Sequence, residues 1–231
     1  MKSAARTALL GVALVVLCGA LGFLAARLGA PPAGARVSLE RLPPPPLPEL
    51  QSPPAERKIP EQLPRLTLPD PEGRPHPLAE FHGRPLLVNF WAPWCDPCRR
   101  EIPLLEQLRR QNAGSGLEVV GIALDNAERV RDYVSQKNIP YPVRIAEAQA
   151  FEAASAFGME AVLPFTVFAT GAGDILTLKV GELRPAEAHA LVRALIAVQQ
   201  GRQTLPAARA MLRDELPQIN AQAAKTAPDS R

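Results

Sequence analysis

The sequence predicts an α/β domain built on a central mixed β-sheet flanked by helices. Short apolar runs alternate with amphipathic segments, which is typical of a layered α/β sheet. A glycine-containing turn joins the last two apolar runs, and such a hairpin adds antiparallel strands to an otherwise parallel sheet. With 231 residues, of which 47% are hydrophobic and 21% charged, the chain can form one domain with appended segments.

The overall composition excludes several classes of protein. The net charge of +3 is too small to indicate a nucleic-acid surface, and we expect no nucleic-acid partner. Three cysteines are too few for a small domain stapled by disulfides. Disorder over the whole length is excluded by the hydrophobic content.

Residues 1–30 are predicted to be a transmembrane helix that acts as an uncleaved anchor. The twenty residues from Thr7 to Ala26 carry no charge, and a helix of that length spans the roughly 30 Å hydrocarbon core. Lys2 and Arg6 precede them, which favours a cytoplasmic amino terminus and export of the rest of the chain. A cleaved signal peptide is the alternative, because Ala33-Gly34-Ala35 has the small-x-small pattern of a cleavage site.

Three segments follow the anchor. Residues 31–64 contain eleven prolines and are predicted to be a stiff or disordered linker, since proline excludes a regular helix or a central strand. The folded domain is expected over residues 65–200. Residues 201–231 are predicted to be a partly disordered tail with one short helix around 207–216.

The strands of the domain are predicted from apolar runs of strand length. Residues 170–174 contain two glycines and predict the turn of the hairpin between the last two runs. The expected strands are 85–91, 117–124, 141–145, 165–169 and 175–180.

The helices are predicted from apolar residues at helical spacing. The first has Ile102, Leu105 and Leu108 on one side, and Gly158 follows the third helix in the usual terminating position. The expected helices are 96–112, 128–137, 149–157 and 187–200.

The Cys-x-x-Cys motif formed by Cys95 and Cys98 lies where a buried strand leads into a helix. Free N–H groups and the dipole at a helix N-terminus stabilise a thiolate, so the first cysteine can act as a nucleophile near neutral pH. The second lies within the same turn and can attack a mixed disulfide. Zinc binding would need two more ligands at suitable spacing, and a purely structural disulfide would close too small a loop to stabilise the fold much. We therefore expect redox chemistry, with no metal and no cofactor.

The segment from Phe90 to Cys98 resembles the active-site signature of thioredoxin-like proteins. Its continuation, Arg99 to Leu105, resembles the TlpA-like branch, of the ResA and cytochrome c maturation type. Members of this branch are membrane-anchored, exported thiol-disulfide oxidoreductases. The resemblance covers residues 65–200 and includes the segments 83–85, 138–143 and 163–166. It implies a thioredoxin-like fold and a redox-active disulfide between the two cysteines.

The resemblance also implies roles for individual residues. Cys95 would be the exposed attacking thiolate and Cys98 the buried resolving thiol. Trp94 would shield the pair on its solvent side. Pro164 would be a cis-proline facing the disulfide, with the adjacent Leu163 backbone pairing with an incoming substrate strand.

Glu101 is the third predicted catalytic residue. Thioredoxins carry a buried acid on the strand before the motif, but this chain has Asn89 there, which cannot exchange a proton. Glu101 lies one helical turn after Cys98, and a partly buried carboxyl with a raised pKa can exchange a proton with that thiol. The alternative is a surface carboxylate paired with Arg99 or Arg100.

The predicted function is an oxidoreductase of the periplasmic face of a bacterial inner membrane, reducing protein disulfides such as those of apocytochrome c or a copper-site protein. By resemblance, a membrane-embedded thiol transporter would donate its electrons. A disulfide-donating oxidant and a copper chaperone of related fold are the alternatives, although His189 is the only late histidine and lies in the closing helix. A peroxidase would need a threonine where this chain has Ala92.

Overall fold

The computed structural model describes residues 59–159 and 162–226. The predicted anchor, most of the predicted linker and residues 227–231 lie outside the described residues. Within the described ranges, no helix combines the length and the apolar character needed to cross a bilayer.

Seven strands and five α-helices form the described domain. The strands are β1 (Thr67–Pro69), β2 (Pro75–Pro77), β3 (Leu86–Trp91), β4 (Glu118–Ala123), β5 (Val143–Ile145), β6 (Phe165–Ala169) and β7 (Ile175–Val180). The helices are α1 (Asp96–Gln111), α2 (Ala127–Lys137), α3 (Ala150–Ser155), α4 (Pro185–Gln199) and α5 (Leu205–Thr226). Short 3-10 turns occupy Leu78–Phe81 and Ala113–Ser115.

The central sheet has five strands in the order β5-β4-β3-β6-β7. Strands β3, β4 and β5 are parallel, whereas β6 and β7 form the antiparallel hairpin. The predicted mixed sheet is therefore confirmed. Strand β3 lies in the middle, and Asn89 is registered with Gly121 of β4 on one side and Thr166 of β6 on the other.

Alternate residues of β3 enter two separate cores, as the period-two geometry of a strand requires. Leu87 and Trp91 pack with α1, α4 and α5, together with both cysteines. Val88 and Phe90 face the opposite side, where they pack with α3 and the 3-10 turn. All six β3 side chains are buried, which explains why the strand reads as a continuous apolar run rather than an alternating one.

Residues just before position 65 already contact the folded domain. The Leu63 N–H donates to the Gly173 carbonyl at 2.8 Å, and the Ile175 N–H donates to the Glu61 carbonyl at 2.8 Å. The end of the predicted linker is thus hydrogen-bonded to the β6–β7 hairpin. The small antiparallel sheet of β1 and β2 was also not predicted, because three-residue strands bounded by proline carry little pattern.

The C-terminal segment differs most from the prediction. Instead of a short helix followed by a frayed tail, α5 extends without interruption from Leu205 to Thr226. Ala208 and Leu212, four residues apart on one face, are buried in the core that contains the cysteines. Arg209 donates hydrogen bonds to the carbonyls of Ile175 and Leu176 at 2.5 and 3.2 Å, and so covers part of the β7 edge.

Candidate active site

The cysteine pair lies at the junction of β3 and α1, as predicted. Cys95 is the N-cap residue of α1, and its sulfur accepts a hydrogen bond from the Cys98 backbone N–H at 3.3 Å. Pro97 occupies one of the first two helical positions, where a missing N–H costs no hydrogen bond. The two sulfurs form a disulfide, with 5.3 Å between the Cα atoms. A thiolate at Cys95 would thus gain an N–H donor and the positive end of the helix dipole.

The two cysteines differ in exposure. Cys95 is 6% exposed and Cys98 is fully buried, so an incoming reactant reaches the sulfur of Cys95 first. Asp96, which follows Cys95, forms an ion pair with Arg99 on the helix surface. Arg100 binds the Glu182 carboxylate through two nitrogens, the shortest contact being 2.6 Å. These ion pairs are exposed and contribute little stability.

Glu101 points away from both arginines and into the protein. Only 1% of its surface is exposed, so the structure does not support the alternative of a surface ion pair. Its Oε1 accepts a hydrogen bond from Asn89 Nδ2 at 2.7 Å, and its Oε2 accepts one from the Leu183 N–H at 2.8 Å. These two donors come from β3 and from the loop after β7, so Glu101 ties α1 to both.

The pKa of Glu101 is raised from its ordinary value of 4.5 to about 7. Burial is the main cause, because the charged form loses its hydration. The hydrogen bonds from Leu183 and Asn89 oppose burial by stabilising the carboxylate; nearby Glu182 raises the pKa slightly and Lys179 lowers it. A carboxyl group with this pKa can take up or release a proton near neutral pH.

Sequence reasoning missed two groups near this carboxyl group: Thr166, which binds its partner Asn89, and the Leu183 N–H, which binds it directly. Thr166 is fully buried on β6, and its hydroxyl accepts a hydrogen bond from Asn89 Nδ2 at 3.0 Å. The Leu183 N–H was not foreseen, because a backbone donor in a loop leaves no signal in the sequence. Asn89 does carry a signal in the sequence, because a polar residue within an apolar strand indicates a buried hydrogen bond.

The remaining predicted site residues are Trp94, Leu163 and Pro164. The Leu163–Pro164 peptide bond is cis. Leu163 is half-buried and packs against the core that contains both cysteines. Pro164 is buried, and its carbonyl accepts a hydrogen bond from the Gly181 N–H at 2.8 Å. Trp94, which precedes Cys95, is 64% exposed and presents a large apolar surface to solvent.

No group of three or more histidine, cysteine, aspartate or glutamate side chains suited to a metal ion occurs within residues 59–159 and 162–226. The four acidic and basic groups nearest the cysteines along α1 are all engaged by other protein groups, as described above. The candidate site therefore combines a cysteine pair at the start of α1 with a buried carboxyl group one turn further along the same helix.

Comparison with known proteins agrees with this geometry. Residues 59–175 match the AhpC/TSA family. The chain is 27% identical over 135 residues to the thiol-disulfide oxidoreductase ResA of Bacillus thuringiensis subsp. konkukian, a match that covers 58% of this chain and 66% of that protein. Several other ResA proteins of Bacillus are matched over only about half of their length, for example 51% and 54%.

Solved structures show the same fold. A thiol:disulfide interchange protein of the thioredoxin family from Chlorobium tepidum is 28% identical, with a TM-score of 0.53 over 59% of this chain and 97% of that one. A secreted thiol-disulfide isomerase from Corynebacterium glutamicum superposes with a TM-score of 0.53 over 58% of this chain and 85% of that one, at 24% identity. The predicted thioredoxin-like fold is confirmed by these similarities.

Proposed function

We propose that this chain, which belongs to the AhpC/TSA family, is a thiol-disulfide oxidoreductase that reduces disulfides in other proteins. One observation carries the proposal: the Cys95–Cys98 disulfide caps a helix whose next turn bears the buried carboxyl group of Glu101. The relatives and solved structures named for thiol-disulfide exchange support the same reaction.

In the first step the Cys95 thiolate attacks one sulfur of the substrate disulfide. The substrate S–S bond breaks, a mixed disulfide forms with Cys95, and the other substrate sulfur leaves as a thiolate that takes a proton from water. The Cys98 N–H and the N-terminus of α1 stabilise the attacking thiolate. The slight exposure of Cys95, against the full burial of Cys98, supports the assignment of Cys95 as the attacking residue.

In the second step Cys98 resolves the mixed disulfide. Its thiol gives its proton to the carboxylate of Glu101, one turn along α1, and the resulting thiolate attacks the Cys95 sulfur. The Cys95–Cys98 disulfide forms and the second substrate sulfur leaves as a thiolate, so the substrate gains two electrons and the site loses two. A dithiol donor must then reduce the site again. The pKa of about 7 lets Glu101 serve as base here and as acid in the reverse direction.

Substrate binding is assigned to the surface around the disulfide. Trp94 offers an exposed aromatic face beside Cys95. Leu163 and Pro164 follow on the adjoining segment, where an extended substrate strand would pair with the backbone. These assignments rest on the resemblance of the motifs.

We further propose that residues 1–30 anchor the protein in a bacterial inner membrane and that the domain works on the periplasmic side. Because that compartment is oxidising, a reductant there needs a membrane thiol transporter as electron donor. The disulfide of apocytochrome c or of a copper-site protein would be the substrate. Fusions of a periplasm-dependent reporter enzyme at residue 60 and at the C-terminus test the topology, since both should be active if the domain is exported.

The decisive experiment is the reduction potential of the Cys95–Cys98 pair, measured by equilibration with glutathione. A value below about −230 mV, toward the thioredoxin end of the range, supports a reductant. A value near about −120 mV identifies a disulfide donor and overturns the reductive assignment. In parallel, the Cys98→Ser variant should accumulate a mixed disulfide with substrate, whereas Cys95→Ser should form none. Equal trapping by both variants would refute the assigned roles.

A further inference from the structure

The side-chain amide of Asn89 uses only one of its two polar ends. Its Nδ2 donates to Glu101 Oε1 at 2.7 Å and to Thr166 Oγ1 at 3.0 Å, which accounts for both of its hydrogens. Its Oδ1 is buried and has no hydrogen-bond partner in the part of the chain that the structure describes. A buried acceptor without a partner costs free energy, so this arrangement calls for an explanation.

This arrangement suits an ionised Glu101, which only accepts hydrogen bonds. The carboxylate accepts from Asn89 at one oxygen and from the Leu183 N–H at the other. The Leu183 donor belongs to the backbone and cannot reverse its polarity. When Glu101 takes up a proton, that proton is therefore expected on the oxygen that faces Asn89. In the observed orientation of the amide, Asn89 also points a hydrogen at this oxygen. Two donors would then face each other.

A rotation of the Asn89 amide by about 180° about its last side-chain bond removes this conflict, because N and O of an amide have nearly the same shape. Oδ1 would then accept from the Glu101 O–H with one lone pair. With the other it would accept from Thr166, whose hydroxyl can donate as well as accept. Glu101 and Thr166 then have a partner on the amide in both states, and the end of the amide that faces neither of them changes from Oδ1 to Nδ2.

We propose that Asn89 is a positioning residue whose amide group rotates when Glu101 gains or loses its proton, with the Thr166 hydroxyl reversing in concert. The inference rests on the proposed function, since it gives the proton acceptor of Cys98 a hydrogen-bond partner in either form. Asn89 itself never carries the proton. It holds the carboxyl group of Glu101 in place while the charge changes.

Other groups near Glu101 influence when it titrates but do not replace the amide. Cys98 lies one turn before it on α1, Lys179 is on β7, Glu182 is in the following loop, and Tyr141 precedes β5. In the described residues, the hydrogen bonds of the Asn89 side chain are made to Glu101 and Thr166.

The test is nuclear magnetic resonance of the full chain in detergent micelles, with ¹⁵N in asparagine side chains and ¹³C in glutamate carboxyls. The oxidised form is used from pH 5 to 9, because its disulfide cysteines do not titrate. The Asn89 signals are assigned by their loss in Asn89→Leu. We expect the Asn89 side-chain nitrogen to titrate with the same midpoint as the Glu101 carboxyl carbon. The nuclear Overhauser contact between its amide hydrogens and the Thr166 methyl group should be strong at pH 9 and weak at pH 5.

A pair of variants separates rotation from a fixed amide. In the Thr166→Val variant, one amide hydrogen of Asn89 has no acceptor when Glu101 is ionised. When Glu101 is protonated and the amide has rotated, Asn89 Oδ1 still accepts a hydrogen bond from Glu101. Rotation therefore predicts a higher Glu101 midpoint in this variant, and Thr166→Ser, which keeps the hydroxyl, should restore the original midpoint. A fixed amide would lose the same Thr166 bond in both states, so an unchanged midpoint overturns the inference. Amide signals that stay constant while Glu101 titrates, or a Glu101 that does not titrate in this range, also overturn it.

Insulin-disulfide reduction by the same preparations separates this inference from the proposed function. A chain whose amide rotates but which exchanges no disulfide would refute the function and leave the rotation standing. A chain that reduces insulin with a fixed amide would refute the rotation alone.

Discussion

Replacement of Glu101 by glutamine should remove a pH-dependent loss of stability that the carboxyl group imposes on the oxidised domain. Burial raises the pKa of Glu101 to about 7 in the folded protein, against an ordinary value of 4.5. Between these two pH values the folded state holds a proton that the unfolded chain has released. The wild-type protein therefore loses stability as the pH rises from 4.5 through 7, and above 7 the loss is complete.

The size of the effect follows from the two pKa values. Each pH unit between them is worth about 1.36 kcal/mol, so a difference from 4.5 to about 7 amounts to about 3 kcal/mol. Only 1% of the side chain is exposed, so solvent does not screen the effect appreciably. Glutamine has the same shape and no charge, and the Asn89 amide can turn either polar end toward it.

The measurement is guanidinium unfolding followed by circular dichroism at pH values from 4.5 to 8.5. The free energy of unfolding of Glu101→Gln, relative to wild type, should increase by about 3 kcal/mol across this range. Any constant offset from altered hydrogen bonds cancels in that comparison. Glu152→Gln, at an exposed position of α3, is the matched control and should show no such trend. A Glu101→Gln difference that is the same at every pH would refute the reasoning.

Two further predictions concern the scaffold. Gly171→Ala should destabilise the domain by about 2 kcal/mol or more, because the added Cβ would lie 2.5 Å from the Gly83 carbonyl carbon. The control is Gly114→Ala, where the added Cβ would meet open space. It should change the free energy of unfolding by less than about 0.5 kcal/mol. Burial alone would raise the pKa of Asp70, but hydrogen bonds from Arg74 hold it far below its usual range, so the wild type should lose stability as the pH falls below about 4. The Asp70→Asn variant should be less stable than the wild type at pH 7, and its free energy of unfolding should fall less as the pH drops below about 4. The same fall in both proteins would contradict this prediction.

Apolar patterning predicted the main elements of the fold well. The predicted ends of the strands and helices from residue 85 to residue 200 lie within two residues of the observed ones. The prediction succeeded there because β3 and β4 are buried on both faces and read as continuous apolar runs. It failed at α5, where the expected helix stopped at the residue before Pro217. In the structure that proline lies inside the helix, so packing against α4 and β7 prevails over local preference.

The candidate site was predictable where its chemistry depends on spacing along the chain. A strand leading into a helix places Cys95 at the cap and Cys98 in the first turn, and the three-residue step from Cys98 to Glu101 places both on one side of α1. The hydrogen bonds around Glu101 were not predictable, because the order of the strands in the sheet alone brings in the Leu183 N–H, which binds Glu101, and Thr166, which binds Asn89. The sheet topology, rather than the motif, supplies the environment that sets the pKa of Glu101.

The neighbours of Glu101 on α1 show how one carboxyl group comes to be buried among charged residues. Successive helical residues are turned by about 100°, so Arg100 and Glu101 face different directions although they are adjacent. Arg100 binds Glu182 at the surface, and Glu101 binds the N–H of the next residue, Leu183, in the interior.

Two consecutive residues of α1 thus hold two consecutive residues of one loop. The exposed pair contributes little energy by itself, but we expect it to restrain the loop that carries the interior hydrogen bond. Arg100→Gln should therefore raise the pKa of Glu101 by weakening that bond, which a carboxyl titration by ¹³C resonance would detect. Arg110→Gln, which breaks an exposed ion pair with Glu106 at the far end of α1, is the control, and equal titration midpoints in the two variants would show that the loop is held without Arg100.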